Sequence, residues 1–185
     1  MSSITVRAAL LAVAAAATGA ADPAVLQAQE ERPIQVALFH PIQAFPEEDA
    51  VRGLRLSLLY GRNSDVTGVD IGLVPWVTDD FVGVQWGLVG VVDGDALGLQ
   101  LSTVNLVAGA LQGAQVGLVN STAGGEGLQW GAVNHARSLR GLQISFVNYA
   151  ERMEGVQLGL VNIIQEGGVL PVMPLVNWSF EEGGM

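Results

Sequence analysis

The sequence predicts an all-β fold: a short-coil parallel β-solenoid of about 9–10 repeats, each 14–15 residues long. Three observations lead there. Glycines recur at Gly53, Gly68, Gly83, Gly98, Gly113, Gly127, Gly141 and Gly155, in steps of 15 and then 14. Each opens the same eight-residue unit, clearest in GLQWGAVN (127–134), GLQISFVN (141–148) and GVQLGLVN (155–162). The links between units carry two apolar sites each, where exposed loops would need none.

Taken from its start, the chain opens with a segment that reads as a secretory signal over residues 1–28. Arg7 supplies the charge, AALLAVAAAA (8–17) the apolar core, and small residues offer cleavage after Ala21 or Ala28. The apolar run is shorter than the roughly 20 residues of a spanning helix. Residues 29–52 form an N-terminal cap segment with a loose leading copy, PIQVALFH (33–40), then Pro41, Pro46 and the acids Glu47, Glu48 and Asp49. The tandem repeats fill 53–180. The tail EEGGM (181–185) reads as a disordered end.

Within the unit, the first, third and fifth residues after glycine are apolar, as in Leu142, Ile144 and Phe146. The second is Gln85, Gln100, Gln115, Gln129, Gln143 or Gln157, and the fourth is Gly or Ser. Such period-2 alternation marks a strand with one buried face, and the apolar face is the one expected inward. Trp86 and Trp130 fall on that face and read as core; Trp76 and Trp178 lie at or past corners and read as exposed. The sixth residue breaks the alternation and is usually Val, with Val147 expected to point inward. The seventh is Asn105, Asn120, Asn134, Asn148, Asn162 or Asn177, a residue suited to corners. Apolar residues two past the Asn position (Val77, Val92, Val107, Ala136, Ala150, Ile164) and two before the next glycine (Val66, Phe81, Ala96, Leu111, Leu139, Met153) look like a second inward wall.

An up-and-down meander, closed as an outer-membrane barrel, is the alternative. The export signal, the alternating apolar face and the aromatic end (Leu175 to Phe180) suit it. The solenoid is favoured because the period is one unit, not two, and because only parallel coils stack Gln on Gln and Asn on Asn into hydrogen-bonded ladders. Pro171 and Pro174 in the closing copy LPVMPLVN (170–177) are expected to blunt the last edge.

Composition excludes several functions. The net charge is −10, and all eight basic residues are Arg. A phosphate backbone would be repelled, so no nucleic-acid partner is expected. Without Cys there is no thiolate metal site and no cysteine nucleophile. His40 and His135 stand alone, and no G-x-S-x-G elbow or phosphate-cradling glycine loop occurs. Asp79, Asp80, Asp93 and Asp95 lie in successive links. They are the candidate ligands for Ca²⁺, which favours oxygen donors, and more remotely an acid/base pair for a glycan-active β-helix. The plainer expectation is a solvated acidic edge.

At GLQWGAVN, GLQISFVN and GVQLGLVN the chain resembles the bacterial surface-repeat family first described from leptospiral proteins. The resemblance extends through LSLLYGRNSDVTGVDIGLV (56–74) and LPVMPLVNWSF (170–180), covering roughly 33–180. It implies an exported, surface-associated protein without a catalytic motif. Pro75 and Gly90 depart from it where Asn is expected. The functional expectation is a non-enzymatic envelope or surface protein with a structural or binding role, with outer-membrane association as the alternative.

Overall fold

The computed structural model describes residues 31–39, 42–44, 46 and 48–180. The segment expected to be a signal, His40, Pro41, Glu47 and the tail 181–185 lie outside the described residues. Nine strands form one sheet: β1 (Glu31–Phe39), β2 (Ile42–Gln43), β3 (Ala50–Asn63), β4 (Val66–Val77), β5 (Phe81–Val92), β6 (Ala96–Val116), β7 (Val119–Trp130), β8 (Val133–Glu166) and β9 (Val172–Ser179). Among the described residues there is no helix.

The chain is a β-solenoid. Successive coils from β1 to β8 pair in parallel, each residue over its equivalent in the next copy. Gly83 lies on Gly98, Gln85 on Gln100, and Asn120 on Asn134. Copies running in one direction rule out the meander. The step from 15 to 14 residues falls in the link of the coil led by Gly113. There Val107 faces Thr122 at an offset of 15, and Ala110 faces Gly124 at 14. Thr122 closes the shortened turn by donating its hydroxyl to the Gly124 carbonyl at 2.8 Å.

The leading glycines have a geometric reason. All eight have φ between +129° and +149°. A Cβ there would run into the carbonyl oxygen of the residue stacked beneath, which is itself glycine in every coil but the first. The backbones approach too closely for any side chain, and the φ is one that glycine alone adopts freely.

The two apolar link sites point inward as expected. Val66, Val77, Phe81, Val92, Ala96, Val107 and Leu111 are buried in one cluster with Val51. Ala136, Leu139, Ala150, Met153 and Ile164 form a second. The coil between them supplies Thr122 and Gly125 at these sites, which divides the core.

The other wall reverses the expectation. The second residue, Gln, is completely or almost completely buried in each copy that has it, and so is the Asn. The first, third and fifth residues occupy 24 positions in eight copies, and none of them is buried. Trp86 is 60% exposed, Trp130 57%, Phe146 64% and Leu160 61%. Val147 is half-buried rather than enclosed. The period of two was right and its phase was not, and one residue of phase exchanges the two faces. The physical reason is width. A coil of 14–15 residues encloses a gap of fixed size, which suits one side chain repeated in every coil. Amides that bond to one another up the stack meet this condition without leaving buried polar groups unpaired. The apolar third position runs Leu56, Ile71, Trp86, Leu101, Val116, Trp130, Ile144, Leu158. Side chains of such different size do not fit one narrow interior.

Both ends of the parallel stack meet an antiparallel strand. β2 pairs with β1, and β9 with β8. The closing copy therefore does not stack as another coil. Pro171 and Pro174 stand in the reversal, and Leu175 takes a positive φ of 69°. A strand that turns back and carries proline offers a poor edge for further pairing.

Candidate functional site

Two features stand out: an amide-lined interior and an apolar exterior. In the interior, each Gln Nε2 from Gln100 onward donates to the Gln Oε1 of the preceding coil. The bonds run Gln100 to Gln85 (2.8 Å), Gln115 to Gln100 (2.8 Å), Gln129 to Gln115 (2.8 Å), Gln143 to Gln129 (2.6 Å) and Gln157 to Gln143 (2.7 Å). In the last four coils carrying this Gln column the second proton goes to a corner carbonyl, as from Gln129 to His135 O at 3.1 Å. Both protons of these amides are used.

The Asn ladder runs the other way. Asn105 Nδ2 donates forward to Asn120 Oδ1 (2.8 Å), Asn120 to Asn134 (2.8 Å), Asn134 to Asn148 (3.0 Å) and Asn148 to Asn162 (2.8 Å). Each also donates to a backbone carbonyl in the following coil, as from Asn120 to Trp130 O at 3.0 Å. The two columns of amide dipoles thus oppose each other. Each ends on an acceptor without a donor, Gln157 Oε1 at one end and Asn105 Oδ1 at the other. The Asn ladder starts at Asn105 because the earlier coils put Gly61, Pro75 and Gly90 at that place. Asn177 is corrected out of it. Its coil runs antiparallel, and its Nδ2 donates to the Leu170 carbonyl at 2.9 Å instead. The fourth residue of the unit is small because the backbone of the preceding coil lies against it, with the Asn amide beside. A Cβ on Gly117 would strike the Ser102 carbonyl oxygen and come within 2.7 Å of Asn105 Nδ2.

Between Gln35, which lies over Arg55, and Gln85 the Gln column is interrupted by an ion pair that sequence reasoning missed. Arg55 and Asp70 occupy the Gln position in the first two glycine-led copies. Both are fully buried, and the guanidinium makes two bonds to the carboxylate, at 2.7 and 2.6 Å. Arg55 also donates to the Trp76 carbonyl at 2.8 Å. Gln85 Nε2 donates to Asp70 Oδ2 at 2.9 Å, so the anion sits at the donor end of the amide column, where its charge is favourable. Two opposite charges in consecutive copies at the Gln position were the available signal.

The aspartates of the links have structural partners. Asp65 Oδ1 accepts the Asp80 amide (3.2 Å), Asp80 Oδ1 the Asp95 amide (2.9 Å) and Asp95 Oδ1 the Ala110 amide (2.7 Å). Asp93 Oδ2 accepts the Trp76 indole N–H at 2.7 Å, and the Asp79 carbonyl accepts the Gly94 amide. Among the described residues, no group of three or more His, Cys, Asp or Glu side chains is placed to hold a metal ion. Asp79, Asp80, Asp93 and Asp95 therefore act as corner ties and are not gathered as a calcium site. His135 stacks on Tyr149 at 5.2 Å, with Ser121 Oγ 3.2 Å from its Nδ1, in one corner column.

The exterior is the more unusual feature. Of the 24 outward positions, 23 are apolar and one is Thr103; none is ionisable. Trp86 and Trp130 stand three coils apart, about 14 Å by the spacing of stacked strands. Between them lies an open groove of about 580 Å³, floored by Leu101, Thr103 and Val116 and continued by Phe146. Contiguous exposed apolar surface of this extent is uncommon on monomeric soluble proteins.

Comparison with protein-family models, with curated proteins and with solved structures found no match.

Proposed function

We propose that this chain is a non-enzymatic, exported repeat protein of the bacterial envelope or surface, whose apolar face is a binding surface. The carrying observation is that face: 24 outward positions without one charge, on a chain of net charge −10. The amide ladders supply its rigidity, because identical residues held in register keep the outward columns aligned. The leader-like residues 1–28 and the resemblance to leptospiral-type surface repeats support export. A sugar platform on Trp86 and Trp130 is less well supported, since Thr103 is the one polar side chain among the 24.

Two measurements test this. Intact mass of the product from a bacterial envelope fraction is expected to show a new N-terminus at Asp22 or Gln29. An environment-sensitive apolar dye is expected to brighten on the purified protein and to lose most of that signal in Trp86→Glu with Trp130→Glu. Retention of residues 1–28 in a cytosolic product would overturn export. Dye binding that both substitutions leave intact would overturn the binding face.

A further inference from the structure

We propose that the apolar face binds a second copy of this chain, face to face, about a two-fold axis through the Trp86–Trp130 groove. The inference rests on the apolar face being a binding surface and names its occupant.

Area is the first argument. Eight coils about 4.8 Å apart, each presenting a strand some six residues long at ~3.3 Å per residue, give roughly 750 Å² per copy, on the order of 1,500 Å² for a pair. That is the size of a standard specific interface.

Symmetry is the second. The eight glycine-led coils have their midpoint between those led by Gly98 and Gly113. Trp86 belongs to the third coil and Trp130 to the sixth, so the two stand equally far from that midpoint. A two-fold axis lying in the interface at the midpoint, perpendicular to the direction in which the coils stack, brings the third coil of one copy against the sixth of the other. Trp86 of each copy then meets Trp130 of the other, residue i meeting j and j meeting i. Homodimer interfaces are of this self-complementary kind. Aromatic residues at the centre of a patch are also the usual anchors of an interface.

Charge is the third. An anionic lipid surface would need cations near the face, and the chain has no Lys and a net charge of −10. Two copies bring no ionisable side chain of the 24 positions into contact.

The test is sedimentation velocity on the purified chain over nanomolar to micromolar concentration. A species of twice the chain mass is expected, with Trp86→Glu and Trp130→Glu each raising the dissociation constant at least about 30-fold. Far-UV circular dichroism is expected to stay unchanged, because both side chains are outward. Because the chain has no cysteine, Leu101→Cys beside the axis gives a second readout. A short bis-maleimide is expected to join two copies there and not at an Asp79→Cys control on the corner. A chain monomeric throughout that still brightens the apolar dye would overturn the second copy and leave the binding surface standing. A monomer without dye binding would overturn both. A dimer that survives both Glu substitutions, or joins at Asp79→Cys in place of Leu101→Cys, would place the interface elsewhere and overturn the proposal. Should the Glu variants fail to fold, the Leu101→Cys result alone decides.

Discussion

Replacing Gln129 with Leu is expected to be among the most damaging single changes of similar volume. Gln129 sits mid-ladder. Its Nε2 donates to Gln115 Oε1, and its Oε1 accepts from Gln143 Nε2. Leucine fills the space and removes both ladder bonds, together with the bond to the His135 carbonyl. Two buried polar atoms on the neighbours then lose partners they cannot replace with water. At about 1–3 kcal/mol for each orphaned group, the loss is about 4 kcal/mol. That is a large fraction of the roughly 5–15 kcal/mol that holds a domain folded. Gln157 is the control. It ends the column, and its Oε1 has no donor to lose. Gln157→Leu orphans only Gln143 Oε1 among the ladder amides, so about 2 kcal/mol is expected. Gln129→Leu combined with Gln143→Leu is expected to cost less than the sum of the single changes, because the bond between them is lost only once. Urea unfolding followed by circular dichroism measures the parent, the three single variants and the double variant, at one protein concentration so that association does not enter the comparison. Equal losses at Gln129 and Gln157, or a neutral Gln129→Leu, would refute the ladder as a source of stability.

Other substitutions probe the remaining parts. Gly127→Ala is expected to prevent folding, since the new Cβ would strike the Gly113 carbonyl at a φ of +149°; Gly124→Ala, without a positive φ, is expected to stay soluble and folded. Asp70→Asn leaves the Arg55 charge buried and is expected to lower stability by about 3–5 kcal/mol, while Arg55→Gln with Asp70→Gln extends the amide column and recovers most of that loss in the same urea assay. Val147→Asp is expected to cost about 1 kcal/mol, because the side chain is only half-buried and keeps access to water. A collapse of the fold with Val147→Asp would return that residue to the interior.

The repeat made most of the architecture readable. Regular glycines, parallel stacking, the Gln and Asn ladders and the two apolar link sites all follow from one period. The face was misread because hydrophobicity alone was used to choose it. Variation in size was the better guide. A column that alternates Trp86 with Leu101 and Val116 has room to vary, whereas a column that keeps Gln from Gln85 to Gln157 does not. The aspartates of the links looked like ligands because their spacing brings them onto one edge. Nothing in spacing shows that Asp80 and Asp95 turn their carboxylates to the next backbone amide. The reversal at the last copy was signalled by Pro171 and Pro174, but the motif ending LVN concealed it. Arg55 and Asp70 became legible as a pair only once the coils were known to stack in parallel.

Hydrogen exchange of the glutamine side-chain NH₂ groups, resolved by nuclear magnetic resonance, puts the inverted faces to the most direct trial. With amides inside and the Leu, Trp and Phe columns outside, Gln100, Gln115, Gln129 and Gln143 keep their side-chain protons far longer than free glutamine does. Exchange of all four at the rate of free glutamine would place them in solvent, return the apolar columns to the core and contradict the structure described.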